Sequence, residues 1–148
     1  MISTASTSSL AFDGGLLLLR LTAGGFLLPH GLGKLLGWFH GPGLVGFAME
    51  LRDQGLPSAR PWPVLLALLQ TVAGLCLVAG FWTRGCALAA AGFLAATVVV
   101  NRKQGWYWMR GGIEYPLLWA LVALAVVLLG PGHFSFDALV HADRGEPA

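Results

Sequence analysis

The positions of the charged residues divide this chain into segments of membrane length. Residues 61–83, 85–101 and 115–136 contain no charged side chain and are 23, 17 and 22 residues long, and residues 14–36 are mostly Leu, Gly, Ala and Phe. A helix needs about 20 apolar residues to cross a hydrocarbon core of about 30 Å, and about 17 suffice. The pattern therefore predicts four transmembrane helices, near residues 14–34, 62–81, 84–101 and 113–130.

The composition supports a membrane environment for the whole chain. Charged residues make up 11% and hydrophobic residues 56%, with a mean hydropathy of +0.71, whereas a soluble domain has about 25% charged residues. We therefore expect an all-α integral membrane protein, built as an antiparallel four-transmembrane-helix bundle in contact with the lipid bilayer. The formal net charge of +2 is too small to suggest nucleic acid binding.

The segments outside the four helices are expected to be short. Residues 1–13 are predicted to be a flexible N-terminal tail, 14–137 the membrane domain and 138–148 a polar C-terminal tail. A secretory signal has a basic region before its apolar core, but no Lys or Arg precedes the first helix. This helix is therefore interpreted as an uncleaved span. Residues 44–54 carry Phe47, Ala48 and Leu51 on one face, which indicates a short interfacial amphipathic helix between helices one and two. It is either a simple connector or a lid.

The distribution of Lys and Arg predicts the orientation. The loops after helices one and three carry six basic residues, and the opposite side carries few. The six are Lys34, Arg52, Arg60, Arg102, Lys103 and Arg110. The opposite side has Arg84 and Arg144, and Arg20 lies near the membrane interface on that side. The positive-inside rule then places both loops in the cytoplasm.

Three basic-type side chains lie on one stripe of the first helix. At about 100° per residue, Arg20 and Lys34 are about 40° apart, and His30 lies about 40° beyond Lys34. A charge at bilayer depth costs several kcal/mol, so it usually has a partner or a function. The alternative is that Arg20 and Lys34 extend towards opposite interfaces.

Small residues and a proline accompany this stripe. Gly31, Gly33 and Gly37 belong to a small-residue surface, and Gly33-x-x-x-Gly37 predicts close helix contact. Pro29 is expected to kink the helix beside His30 or only to shape its packing.

Further polar candidates lie elsewhere in the chain. Gln70 in helix two is expected to hydrogen-bond across helices or to face the same cavity as Arg20. Glu114, four residues after Arg110, is either a helix-start residue or the counter-charge to Lys34. Asp137 could reach Arg20 or Arg84, or face water. The predicted ligand-binding pocket comprises Arg20, His30, Lys34, Gln70, Arg110 and Glu114.

The Cys and His residues suggest no metal centre. Cys76 and Cys86 are interpreted as small apolar packing residues, although a disulfide between them is left open. The four histidines are scattered and show no metal-ligand spacing.

Four segments, in this order and spacing, resemble those of the DoxX family of small four-helix bacterial membrane proteins. They are Arg20–Gly25 with Pro29–Lys34, Gly80–Arg84, Gly111–Tyr115 and Gly130–Asp137. Pro29, Gly31, Gly33, Gly37, Arg84, Gly112, Gly130 and Asp137 are taken as structural positions. The family commonly has a Glu in helix two where this chain has Gln70, which favours ligand binding over proton transfer.

The resemblance implies a protein of the bacterial inner membrane, related to the membrane subunit of thiosulfate:quinone oxidoreductase. We expect an accessory or quinone-binding subunit of a sulfur- or thiol-linked redox system, with a membrane or peripheral redox protein as partner and no covalently bound cofactor. Whether it catalyses a reaction is left open. The alternatives are a small-molecule transporter or channel, which would require a homo-oligomer, and a structural or assembly factor.

Overall fold

A computed structural model describes residues 4–143 of the chain, with side chains from residue 9 onwards. These residues form six α-helices, three short 3-10 helices (Trp38–His40, Arg102–Gln104 and Trp108–Arg110) and no strand. The α-helices are α1 (Thr4–Leu36), α2 (Gly43–Asp53), α3 (Trp62–Ala79), α4 (Thr83–Asn101), α5 (Glu114–Leu129) and α6 (Phe136–Asp143). Arg144, which was counted for the orientation, lies outside the described residues.

Three of the helical segments are long and apolar enough to cross a membrane. They are Ser9–Leu36, Trp62–Ala79 and Thr83–Gln104. The fourth predicted span, α5, is apolar but has only 16 residues. The chain is thus a multi-pass membrane protein.

The first and last helices extend into the segments that were expected to be tails. α1 begins at Thr4, and α6 ends at Asp143. Asp13, only 9% exposed, accepts a hydrogen bond from the backbone N–H of His133 at 3.1 Å. This contact attaches the start of the first span to the segment after α5.

The long helices pack around a core of small residues. α1 packs against α3, α3 against α4, α4 against α5, and α5 against α1. The buried cluster between them consists of Ala23, Leu27, Ala73, Leu77, Cys86, Ala87, Ala90, Ala123 and Val126. Because alanine dominates this cluster, the helix backbones approach closely, as is typical of helices packed in lipid.

The backbones of α1 and α3 approach closely at two glycines of α1. A Cβ added to Gly24 would lie 2.6 Å from the carbonyl oxygen of Gly74, and one added to Gly31 would lie 2.7 Å from the amide nitrogen of Thr71. No side chain fits at either position. Gly31 thus lies where α1 and α3 touch, and its structural role stays a prediction.

The predicted contact motif at Gly33 and Gly37 has a different role. α1 continues through Pro29 and ends at Leu36, so Gly37 lies beyond it, with a φ of 74°. Its N–H donates to the carbonyl of Gly33 at 3.0 Å. Gly37 thus terminates the helix in the left-handed conformation that glycine adopts at little cost, while Gly33 packs against the returning chain at Trp38 and Gly41.

The turn between α3 and α4 is built around Gly80. The N–H of Phe81 donates to Cys76 at 2.9 Å and the N–H of Gly80 to Leu77 at 3.3 Å, the two bonds of a Schellman motif. A Cβ on Gly80 would lie 2.8 Å from the guanidinium carbon of Arg20. Only glycine allows both the left-handed turn and this close approach.

Helix α2 packs across the end of the bundle where α1 ends and α3 begins. Phe47 and Leu51 are buried against Ala67 of α3. We call this side of the molecule the Lys34 end, and the side where α3 and α5 end and α4 begins the Arg20 end.

Candidate functional site

A cavity of about 330 Å³ lies between α1, α3, α4 and α5. Its polar lining is concentrated towards the Lys34 end and comprises His30, Lys34, Gln70, Thr97 and Tyr115. The lining deeper in the bundle is apolar and comprises Ala23, Leu27, Leu77, Ala90 and Ala123. From Ala23 to Lys34 the cavity follows one face of α1 for about 16 Å at a helical rise of 1.5 Å per residue. The cavity is therefore elongated and amphipathic.

Lys34 is the cation at the polar end of this cavity. Its Nζ donates to Oε1 of Gln70 at 3.2 Å and lies 4.6 Å from the ring centroid of Phe47 and 5.2 Å from that of Phe93. Gln70 itself is only 4% exposed. An amide oxygen and two ring faces thus hold the ammonium group and leave further N–H donors for a ligand.

Glu50 is a polar neighbour of Lys34 that the sequence did not reveal. A second cavity of about 320 Å³ is lined by Pro29, His30, Lys34, Trp38 and Glu50, among others. Glu50 supplies a carboxylate to the cavity that Lys34 also lines. It belongs to α2, and only the packing of α2 over the end of α1 brings the two together. His30 and Lys34 line both cavities.

Aromatic side chains form the walls of the main cavity. Phe26 and Trp119 stack with ring centroids 4.7 Å apart and an interplanar angle of 25°, and Phe93 and Tyr115 line the same space. The aromatic residues of α1, α4 and α5 gave no separate signal in the sequence, because aromatic residues are frequent throughout the chain. Planar ring faces of this kind stack well against a planar ligand.

Arg20 does not belong to this cavity. It lies 14 residues before Lys34 on the same helix, about 21 Å away along the axis. Its side chain is 1% exposed, and its guanidinium donates to the backbone carbonyls of Pro131 and, at 2.7 Å, of Phe134. Arg20 is thus held by the segment after α5, and the pocket predicted from the stripe has to be corrected to exclude it.

Asp137 completes the polar cluster at the Arg20 end. Its two carboxylate oxygens accept hydrogen bonds from the N–H groups of Trp82 at 2.7 Å and Thr83 at 2.8 Å. These donors lie at the start of α4, where a carboxylate is favourable. The Arg84 guanidinium lies over Gly130: a Cβ added to Gly130 would be 3.1 Å from one of the guanidinium nitrogens. Three of the segments that carry the family resemblance therefore meet at this end.

Glu114 and Arg110 also lie apart from the main cavity. Glu114 is the first residue of α5, and its carboxylate accepts a hydrogen bond from the N–H of Trp108 at 3.3 Å, so the structure supports its interpretation as a helix-start residue. Arg110 is exposed in the preceding loop. Gly112 is buried there, with the carbonyl of Trp106 2.6 Å from where a Cβ would lie. Of the six predicted pocket residues, His30, Lys34 and Gln70 line the cavity.

The two cysteines lie in the core beside the α3–α4 turn. Cys86 is buried, Cys76 is partly buried, and both are free thiols. Within residues 9–143, no group of three His, Cys, Asp or Glu side chains is placed to hold a metal ion.

Comparison with known proteins identifies the family. The DoxX family model matches residues 15–102, which is more than half of the chain. No curated protein and no solved structure gave a match. The matched region contains α1 from Gly15 onwards and the whole of α2, α3 and α4. It therefore includes Arg20, Lys34 and Gln70. The chain belongs to the DoxX family.

Proposed function

We propose that this protein binds one small amphiphilic ligand within the membrane and serves as an accessory subunit of a quinone-linked redox system. The observation that carries the proposal is the amphipathic cavity, with Lys34 and Gln70 at its polar end. Its volume of about 330 Å³ lies within the usual range of small-molecule sites, about 300–1,000 Å³. A ligand with a polar head and an apolar body complements this lining.

A quinone head group has the chemistry that this lining would recognise. Its carbonyl oxygen can accept a hydrogen bond from the Nζ of Lys34, and its planar ring can stack near Phe26 and Trp119. Thiosulfate, as a small anion, could use the same cation without the apolar part of the cavity. Gln70 is a neutral amide and does not titrate, so the polar end is suited to binding rather than to proton exchange at that position.

The proposed topology includes α5 as a fourth, antiparallel crossing. Its 16 residues span about 24 Å, which is shorter than a hydrocarbon core of about 30 Å. The irregular segment after α5 would complete the crossing, and irregular backbone at membrane depth needs hydrogen-bond partners within the protein. Arg20 supplies such partners to Pro131 and Phe134. This gives a physical reason for a buried cation in a transmembrane helix.

The orientation follows from the basic loops. We place the Lys34 end at the cytoplasmic face of a bacterial inner membrane, because five described Lys and Arg residues lie in the loops there, besides Lys34 itself. Helix α2 then lies in the interface, with Phe47 and Leu51 towards the bundle. In this scheme the protein binds the quinone but carries no redox centre of its own, so a protein partner would supply the electrons to the quinone.

Binding to purified protein in nanodiscs tests the proposal. We expect a short-chain benzoquinone to bind the wild type and to bind Lys34→Ala and Gln70→Leu at least about tenfold more weakly, since a hydrogen bond to a charged group contributes about 1.5–3 kcal/mol. Lys103→Ala, which removes an exposed lysine, is the matched control and should bind as the wild type does. Thiosulfate is the second probe. If neither probe binds, or if Lys34→Ala binds both as tightly as Lys103→Ala does, the proposal fails.

A transport function is a second candidate, favoured by one observation. His30 and Lys34 line both the main cavity and the cavity beside Glu50, so the same two side chains could pass a small anion between them. Four helices are few for a pathway, and transport would require a homo-oligomer. Proteoliposomes that show no flux of thiosulfate would exclude this candidate.

A further inference from the structure

A third depression lies outside the bundle, where α2 meets the start of α3. It has a volume of about 310 Å³. Two arginines, Arg52 from α2 and Arg60 from the α2–α3 connection, line it together with Ser58. The apolar part of its lining includes Val45, Met49 and Val64. We call this depression the arginine groove.

The two guanidinium groups of the arginine groove are available to a ligand. Both side chains are exposed, and neither has a hydrogen bond or an ion pair with another residue in the part of the chain that the structure describes. Lys34, by contrast, is held by Gln70. Two guanidinium groups that share one groove and have no acceptor within the protein favour an anion with several oxygen atoms. The planar guanidinium group of arginine can donate two parallel hydrogen bonds to a phosphate.

The apolar wall of the groove points to a lipid. Val45 is 77% exposed and Met49 is 62% exposed, although Phe47 and Leu51 on the other side of α2 are buried. α2 is therefore apolar on the face that packs on the bundle and on part of the face that points outward. An exposed apolar surface beside cationic groups at the end of membrane-spanning helices is suited to acyl chains below a charged head group.

We propose that the arginine groove binds an anionic phospholipid. Its phosphate oxygens accept hydrogen bonds from Arg52 and Arg60 with the Ser58 hydroxyl nearby, and its acyl chains lie along Val45, Met49 and Val64. Charge complementarity selects this occupant over a zwitterionic lipid, whose choline group would place a cation beside two arginines. Basic pockets between membrane helices bind anionic head groups in this way.

Lipid retention by the detergent-purified full chain tests the proposal. Native mass spectrometry would compare added phosphatidylglycerol with phosphatidylcholine of the same acyl chains. We expect the wild type to bind phosphatidylglycerol preferentially. The double variant Arg52→Ala/Arg60→Ala should bind it about thirtyfold more weakly, which corresponds to about 2 kcal/mol at about 1 kcal/mol for each basic residue near an anionic surface.

The matched control removes the same number of charges from the other loop at the Lys34 end. Arg102→Ala/Lys103→Ala changes two exposed basic residues that do not line the groove, and it should retain wild-type affinity. Equal loss of phosphatidylglycerol in both double variants would overturn the proposal, because the effect would then be one of net charge. Equal binding of the two lipids by the wild type would overturn it as well.

Two further experiments test whether the bound anion is a lipid or free phosphate, and whether the apolar wall of the groove contributes to binding. Inorganic phosphate at millimolar concentration should not displace phosphatidylglycerol, and displacement would identify a phosphate site instead of a lipid site. Met49→Gln removes an apolar side chain from the groove without changing its charge and should weaken binding of the lipid; unchanged binding would contradict the placement of the acyl chains. The groove is separate from the cavity at Lys34, so these results are independent of quinone binding.

Discussion

Replacement of Arg20 by Met should destabilise the packing of α1 against the segment after α5. The guanidinium makes two hydrogen bonds to backbone carbonyls, those of Pro131 and Phe134, and hydrogen bonds to charged groups contribute about 1.5–3 kcal/mol each. Met fills most of the same volume but leaves the carbonyls of Pro131 and Phe134 without these donors. Loss of the two bonds together should therefore cost about 3–5 kcal/mol, below the maximum of their sum because Phe134 is partly exposed.

The expected change can be measured as a melting temperature in detergent. For a protein of about 150 residues, 1 kcal/mol shifts Tm by about 2–4 °C, so Arg20→Met should lower Tm by about 6–20 °C. Arg102→Met removes an exposed arginine and should change Tm by less than about 2 °C, because surface substitutions usually lie within about 0.5 kcal/mol.

A conservative variant separates charge from geometry. Arg20→Lys retains the cation but lacks the planar fork that reaches two carbonyls at once, so its Tm should lie between those of the wild type and Arg20→Met. If Arg20→Met melts within about 2 °C of Arg102→Met, the carbonyls of Pro131 and Phe134 do not depend on Arg20, and the explanation of the buried cation is refuted.

Three other substitutions test separate contacts. Asp137→Ala should cost about 0.5–2 kcal/mol, because it removes the acceptor for two N–H groups at the start of α4; the exposed Asp53→Ala is its control, and equal melting temperatures would contradict the capping role. Gly31→Ala should destabilise the protein by about 1–3 kcal/mol, since the new Cβ would meet the backbone of Thr71. Gly25→Ala, with nothing within 4 Å of the added atom, should be neutral or slightly stabilising in the same melting experiment, and a similar loss in both would refute the close packing of α1 on α3. Glu50→Gln should strengthen thiosulfate binding, measured by isothermal titration, because it removes a negative charge near Lys34; weaker binding would show that Glu50 is needed to position Lys34.

Much of the helical architecture could be predicted from the spacing of charges. The uncharged segment between Arg60 and Arg84 contains α3, which begins at Trp62. The uncharged segment between Arg84 and Arg102 contains nearly all of α4. A membrane helix satisfies its own backbone hydrogen bonds, so an apolar run of sufficient length is enough to specify it. The extension of α1 towards Thr4 was missed because Ser and Thr are poor indicators of a helix in isolation.

The candidate site was predicted only in part. Lys34 and Gln70 stand out in the sequence as strongly polar residues within apolar segments, and in the structure they are in contact. Arg20 was grouped with them from its angle around α1, but an angle says nothing about the distance of about 21 Å along the axis. Glu50 was overlooked because its interaction depends on how α2 folds back over α1.

The sequence by itself determined that the chain is helical and membrane-embedded, since the cost of exposing polar backbone to lipid leaves little choice for apolar runs of this length. It also determined which strongly polar side chains lie within the apolar segments. Only the tertiary structure decided their partners: Arg20 bonds to the carbonyls of the chain after α5, and Lys34 to Gln70 beside a cavity. Those pairings join residues 36 to 114 positions apart, and they depend on the packing of helices that local sequence patterns do not encode.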